Sequence, residues 1–238
     1  MKFTLIASAA LALAPLSASA APAPATPVGT WEVTLTGADQ GTAYVTFEDD
    51  NEFSGYGLSR NSLGLFTLSG TWTVDAAGKL TGNYTETING DEITGTLTGK
   101  VAAKKITGSI ASTIGSFKFN AKREVPTQSI SGVWTGATAV GKVRMAEFYQ
   151  ITPSAFPHLY EISGEGTSLL TGSYSISGVA LVGSKGKIRL AAVSIPDEDE
   201  PSFSSLTGTV NVNRKQNVLK GTHSSGLPIK VALAASPR

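Results

Sequence analysis

The 238-residue chain contains no cysteine. That absence excludes disulfide staples, thiolate zinc sites, cysteine nucleophiles and lipid attachment through sulfur. Histidine occurs twice, at His158 and His223, too few for multi-histidine metal or catalytic sites. Charge is scarce too: Asp, Glu, Lys and Arg make up 16% of the residues, against about 25% in an average soluble domain. Neither sign dominates. From residue 21 onward, 18 basic residues stand against 18 acidic ones. A nucleic-acid binder would show a basic excess or stripe, so no nucleic-acid partner is expected. Catalytic signatures are missing as well. There is no nucleophile elbow, no phosphate loop and no dinucleotide fingerprint.

The first 20 residues read as an export signal. Met1-Lys2 is a short basic start, Phe3 to Leu16 is an apolar run, and Ser17-Ala18-Ser19-Ala20 supplies small residues for a signal peptidase. The run is shorter than the roughly 20 residues that span a bilayer. Cleavage is expected after Ala20, with delivery to the periplasm or exterior of a bacterium. Residues 21–27, Ala-Pro-Ala-Pro-Ala-Thr-Pro, read as an extended linker. No later segment approaches 18 apolar residues, so no transmembrane helix is expected beyond the signal.

What the chain does have is a period of two. Trp31, Val33 and Leu35 alternate with threonines and Glu32. Phe66, Leu68, Gly70, Trp72 and Val74 alternate with Thr67, Ser69, Thr71 and Thr73. Such alternation marks antiparallel strands with one apolar and one wet face, and threonine suits the wet face because its branched Cβ fits the pleat. Asp75-Ala-Ala-Gly78 and Asn89-Gly90-Asp91 mark hairpin turns. Connections this short imply an all-β meander.

A short motif recurs: apolar residue, Ser/Thr/Lys, Gly, any residue, then often an apolar or aromatic one. Leu68-Ser-Gly-Thr-Trp72, Leu80-Thr-Gly-Asn-Tyr84 and Ile106-Thr-Gly-Ser-Ile110 are examples. It returns in Ile130-Ser-Gly-Val-Trp134, Leu170-Thr-Gly-Ser-Tyr174 and Leu219-Lys-Gly-Thr-His223. Glycine on the apolar face lets a sheet bend or makes room for a large neighbour, which favours small closed barrels over sandwiches. Gly29-Thr-Trp31 opens one run and Gly132-Val-Trp134 a second about a hundred residues later. The fold expected is therefore two tandem antiparallel meander barrels of about eight strands each. They should occupy residues 28–124 and 130–235; one larger barrel of about 16 strands is the rival. A membrane-inserted barrel is disfavoured, because glycine interrupts the apolar face and aromatics are only 8%.

Gly29-Thr-Trp31 at the head of a meander, followed by Leu80-Thr-Gly-Asn-Tyr84 and Leu97-Thr-Gly99, resembles avidin. More loosely it is similar to the lipocalin and fatty-acid-binding barrels of the calycin group. These pieces cover about a seventh of the chain. The resemblance implies an up-and-down barrel. Avidin's further tryptophans, which wall the biotin pocket, have no counterpart, since only Trp31, Trp72 and Trp134 occur. No binding residue is carried over.

Candidate chemistry concentrates in the second unit. Strand parity places Glu147 with Val143, Met145 and Tyr149, and His158 with Tyr160 and Ile162. His223 ends a motif copy where Tyr84 and Tyr174 stand in others. Glu147, His158, Tyr174 and His223 are thus the candidate ligand-binding residues of one lumen; the alternative is that such groups sit wet or paired at barrel mouths. The first lumen reads as apolar with Glu86 the exception. Asp197-Glu198-Asp199-Glu200 lacks calcium-loop spacing and reads as a solvated loop. The expected function is a non-enzymatic exported module binding a small apolar ligand, without cofactor or metal. The alternatives are a cell-surface interaction protein with filled barrels, a carboxylate hydrolase, or an outer-membrane barrel.

Overall fold

The computed structural model describes residues 25–60, 64–170, 172–196 and 200–235. The signal peptide read over residues 1–20 lies outside them, as do residues 197–199 of the acidic cluster. The first eight strands are β1 (Gly29–Gly37), β2 (Gly41–Phe47), β3 (Glu52–Ser59), β4 (Leu65–Val74), β5 (Lys79–Ile88), β6 (Asp91–Ala102), β7 (Lys105–Ser112) and β8 (Gly115–Arg123). The next eight are β9 (Gly132–Val140), β10 (Val143–Pro153), β11 (Leu159–Ser168), β12 (Gly172–Val182), β13 (Lys187–Pro196), β14 (Ser202–Thr209), β15 (Asn217–His223) and β16 (Pro228–Ala235). Within each set of eight, every strand pairs antiparallel with its sequence neighbour. β1 then closes on β8 and β9 on β16, giving two separate eight-stranded barrels. The all-β fold of two tandem meander barrels is as expected, and the single larger barrel is not formed.

Turn chemistry sets the hairpins. Asn89 (φ 52°) and Gly90 (φ 90°) form a two-residue link between Ile88 and Asp91, which face each other across the β5–β6 ladder. Both left-handed angles suit a primed turn that matches strand twist. In the β4–β5 turn, the Asp75 carboxylate accepts from the backbone N–H groups of Ala77 and Lys79, each at 2.9 Å.

Inward glycines, most of them in the recurring motif, let the barrels fill by yielding space to rings. Phe53 pairs across from Gly70, Tyr84 from Gly95, Phe119 from Gly108 and Tyr174 from Gly166. A Cβ on any of these glycines would come within 2.2–2.8 Å of the facing ring. Two motif glycines act differently. Gly132 (φ 130°) and Gly172 (φ 68°) have open space around them and stand at strand starts, where left-handed backbone favours glycine.

The two barrels are plugged alike. The Trp31 indole N–H donates to Pro27 O at 2.5 Å, and that of Trp134 to Ile130 O at 2.9 Å. Arg123 lies over the Trp31 ring, 4.1 Å from its centroid, and donates to Val28 O and Thr26 O. In the second barrel Ala235 takes that place opposite Trp134. The end of the Ala/Pro linker is therefore not a free spacer: Pro27 is fully buried and Ala25 packs on the first core.

A third apolar cluster lies between the barrels. Tyr44 and Leu58 point out of the first barrel, Leu159 and Leu181 out of the second, and all four are at most 3% exposed. Tyr44 OH donates to Val182 O at 2.8 Å and Tyr56 OH to Pro157 O at 2.5 Å. Burial, with Glu124 nearby, pushes the Tyr56 hydroxyl up to about 12, so it stays a donor.

Candidate functional site

Two inward glycines outside the motif copies named above make room for a polar site at the mouth of the second barrel. Glu147 on β10 faces inward between two cross-strand glycines, Gly136 on β9 and Gly166 on β11. Into the cleared space swing Tyr149, over Gly136, and Tyr174, over Gly166. Both rings aim their hydroxyls at the carboxylate. Tyr174 donates to Glu147 Oε1 at 2.7 Å, while Tyr149 and Thr138 both donate to Oε2. Burial, then the neighbouring Glu147, pushes the Tyr149 hydroxyl well above the ordinary tyrosine range. Tyr174 moves the same way through burial and its hydrogen bond to Glu147. Both phenols therefore stay protonated across physiological pH and act as donors.

Above this cluster opens a cavity of about 210 Å³ lined by Val140, Val143, Met145, Leu170 and Ile229 together with four serines and His223. Below it lies a void of about 30 Å³, and Glu147 lines both. Leu169 and Leu170, in the turn after β11, are 103% and 74% exposed, forming an apolar lip. Three of the four expected residues, Glu147, Tyr174 and His223, thus surround one mouth. The His223 Nδ1 accepts from Ser225 N–H at 3.2 Å.

His158 is a correction. It sits in the turn before β11 with φ 62°, so strand parity does not reach it. The left-handed residue turns the ring out of the barrel onto Tyr44, stacked at 4.3 Å between centroids and 21° between planes. Thr127 Oγ1 lies 2.8 Å from its Nδ1, and Glu124 pairs with its Nε2. It fastens the segment between the barrels to their interface. Thr138, Tyr149 and the two glycines beside Glu147 are what sequence reading missed as site residues. Their signal was present: both glycines occur at the inward parity of adjoining strands.

The first lumen is nearly filled. A cavity of about 60 Å³ is lined by apolar groups, with Tyr84 and Glu86 as the polar ones. Burial, then Asp39, raises the Glu86 carboxyl from 4.5 to about 7. The fold therefore favours its neutral form. Stability from this group is complete below pH 4.5 and is lost as pH rises through about 7. Denaturant midpoints should fall between pH 4.5 and 7.5 in the parent and be flatter in Glu86→Gln. Parallel profiles in the two proteins would count against this assignment.

No protein-family model matches the chain, and no curated protein matches it. Among solved structures, it is similar to a protein of Bacteroides fragilis NCTC 9343 provisionally named an outer membrane protein. The TM-score is 0.31 at 14% identity, over 88% of this chain and 97% of that one. It is also similar to the di-domain ARO/CYC protein of the steffimycin biosynthetic pathway, with TM-score 0.25 at 10% identity over 88% and 75% of the two chains. Likenesses of this size carry no functional weight. The fold of this chain rests on its own strand ladders: two closed antiparallel barrels, as in the calycin architecture.

Proposed function

We propose that the protein is an exported, non-enzymatic binding module that takes a small apolar ligand at the mouth of its second barrel. The observation carrying this reading is the cavity of about 210 Å³ that joins an apolar wall of Val140, Val143, Met145, Leu170 and Ile229 to a single carboxylate. Barrel mouths are common ligand sites, where apolar walls supply affinity and a few polar groups fix orientation. Glu147 is already hydrogen-bonded by three hydroxyls, so it is held rigidly as an acceptor for a ligand amine or hydroxyl. A paired-carboxylate hydrolase needs a second carboxyl about 5–10 Å away. Among the described residues Glu147 is the only acid lining this cavity. Export is supported by the leader in residues 1–20. A water-soluble barrel is supported by the outward Thr67, Thr71, Thr73 and Thr94, where a membrane barrel carries an apolar band.

The test uses the chain from Ala21, prepared without detergent, and N-phenyl-1-naphthylamine as a neutral apolar probe. Fluorescence titration should give one saturable site. Met145→Trp, which fills the cavity, and Glu147→Gln, which removes the acceptor charge, should each weaken it at least tenfold, about 1.4 kcal/mol. Glu86→Gln should leave it unchanged. Absence of saturable binding, with a bare mass in native mass spectrometry, would sink the reading. The interaction-protein alternative would then stand, on the specific ground that the lumens hold only about 60 and 30 Å³ of free space.

A further inference from the structure

Beside the interface cluster, the two barrels enclose a cleft of about 650 Å³. One wall is the outer face of β1, β2 and β8; the other is mainly that of β13 and β14. Its charge differs from the rest of the chain. Lys118 and Lys122 line one wall, Lys187 and Arg189 the other. Glu32 is the only acid lining it among the described residues, and its Oε2 already accepts from Ser184 N–H at 3.0 Å. In a molecule whose charges nearly cancel, four cations around one cavity form a local positive field, and a cleft with low-dielectric walls focuses it.

Arg189 is the decisive group. Its β13 neighbours Ile188 and Leu190 face the core of the second barrel, so Arg189 faces outward. It pairs across from Thr207 on β14 and Leu181 on β12. Leu181 belongs to the cluster that docks the first barrel, so docking removes water from the guanidinium. Its Nε and Nη1 are buried and have no hydrogen-bond partner among the described residues. Burial lowers its pKa, as does Arg60, while Asp39 acts the other way. Guanidinium N–H groups left buried and unpaired are rare in folded proteins; a small shift of this side chain toward the cleft it lines would expose them, and an oxyanion there is the acceptor that matches a guanidinium best.

We propose that this inter-barrel cleft binds a small, multiply charged anion bearing carboxylate, sulfate or phosphate groups. Arg189 is its half-buried anchor, and Lys118, Lys122 and Lys187 are the exposed cations around it. Asn120, Thr34 and Thr207 add neutral donors for hydroxyl-bearing ligands. The cleft volume falls in the usual range for small-molecule sites, about 300–1,000 Å³. Two sources share this chemistry: a free polyacid of metabolite size, and the charged groups of an acidic oligosaccharide.

The experiment is calorimetric titration of the full mature chain with citrate, inorganic phosphate and a heparin-derived tetrasaccharide, in low salt and in 0.5 M NaCl. At least one should bind once per chain and more weakly in high salt. Arg189→Gln should weaken it at least tenfold. The double variant Lys118→Glu/Lys187→Glu, confined to exposed side chains, should abolish it with an unchanged melting midpoint. Binding of citrate or phosphate identifies a free-anion site; binding of the tetrasaccharide alone identifies a saccharide site. No binding tighter than about 5 mM in low salt, or equal binding by the parent and the double variant, would overturn the proposal. Loss of naphthylamine binding at the barrel mouth has no bearing on it, since the two sites share no residue.

Discussion

Gly221→Val should prevent the second barrel from closing. Gly221 lies on β15 between Leu206 on β14 and Ile229 on β16. A Cβ built there would stand 1.7 Å from Ser205 O and 2.7 Å from Leu206 Cα. Both are backbone atoms of the neighbouring strand, so no side-chain rotation relieves the clash. Overpacking a core usually costs about 1–3 kcal/mol because side chains move aside. Here the β14–β15 ladder must part, and the loss should exceed about 4 kcal/mol, the range reserved for a failed structural element. Hydrogen exchange on the full chain is the measurement. Protection should vanish over β14–β16 and the β9–β16 seam, while β4–β7 of the first barrel remain protected. Thr94→Val, on the exposed outer face, should shift stability by less than about 0.5 kcal/mol. A Gly221→Val chain with parental protection on β15 would show that the ladder there has the slack the geometry denies.

Leu58→Asp should uncouple the barrels. Leu58 is 0% exposed, yet it points away from the lumen of its own barrel into the cluster with Tyr44, Leu159 and Leu181. Truncating a buried leucine costs about 2–5 kcal/mol, and a buried, unpaired carboxylate costs more than an alanine there. The two barrel cores do not contain Leu58, so the penalty falls on the docking. Calorimetry of the parent should show one transition. Leu58→Asp, and independently Leu181→Asp, should split it into two, and small-angle scattering should show a larger radius of gyration. One unsplit transition at the parental midpoint would mean that Tyr44, His158 and the Glu32–Ser184 contact hold the barrels together without the leucines.

These two predictions rest on different kinds of information. The clash at Gly221 follows from a motif visible in the chain: Leu219-Lys-Gly-Thr-His223 repeats the apolar–polar–Gly pattern, and barrel closure explains why the central residue has no side chain. Leu58 was not readable this way. In β3 the wet-face positions read Ser54, Tyr56 and Leu58, and two large residues there broke the Thr/Ser pattern. An isolated outward leucine is common on any soluble surface. Only the facing Leu159 and Leu181, about a hundred residues away, show that it is covered.

The candidate site divides similarly. Glu147 was selected by inward parity, and Tyr174 and His223 by their place at the end of the glycine motif; the three surround one mouth because β10, β12 and β15 are regular. Parity failed for His158, since Leu159 is the first residue of β11 and a left-handed backbone precedes it. Alternation carries information only while the pleat is unbroken.

Sequence alone therefore determined the all-β class, the meander order, the doubled Gly-x-Trp unit and the small inward residues that barrels need. These are local properties: period-two burial, turn residues and β-branched propensity act within a few residues of each other. Tertiary structure decided where the two barrels touch, which inward hydroxyls reach Glu147, and that the Nε and Nη1 of Arg189 are buried without a partner among the described residues. Those outcomes depend on surfaces meeting across more than a hundred residues of chain, or on ring directions within a closed lumen. Neither leaves a periodic trace, because docking needs only a few residues on one face to be large and complementary.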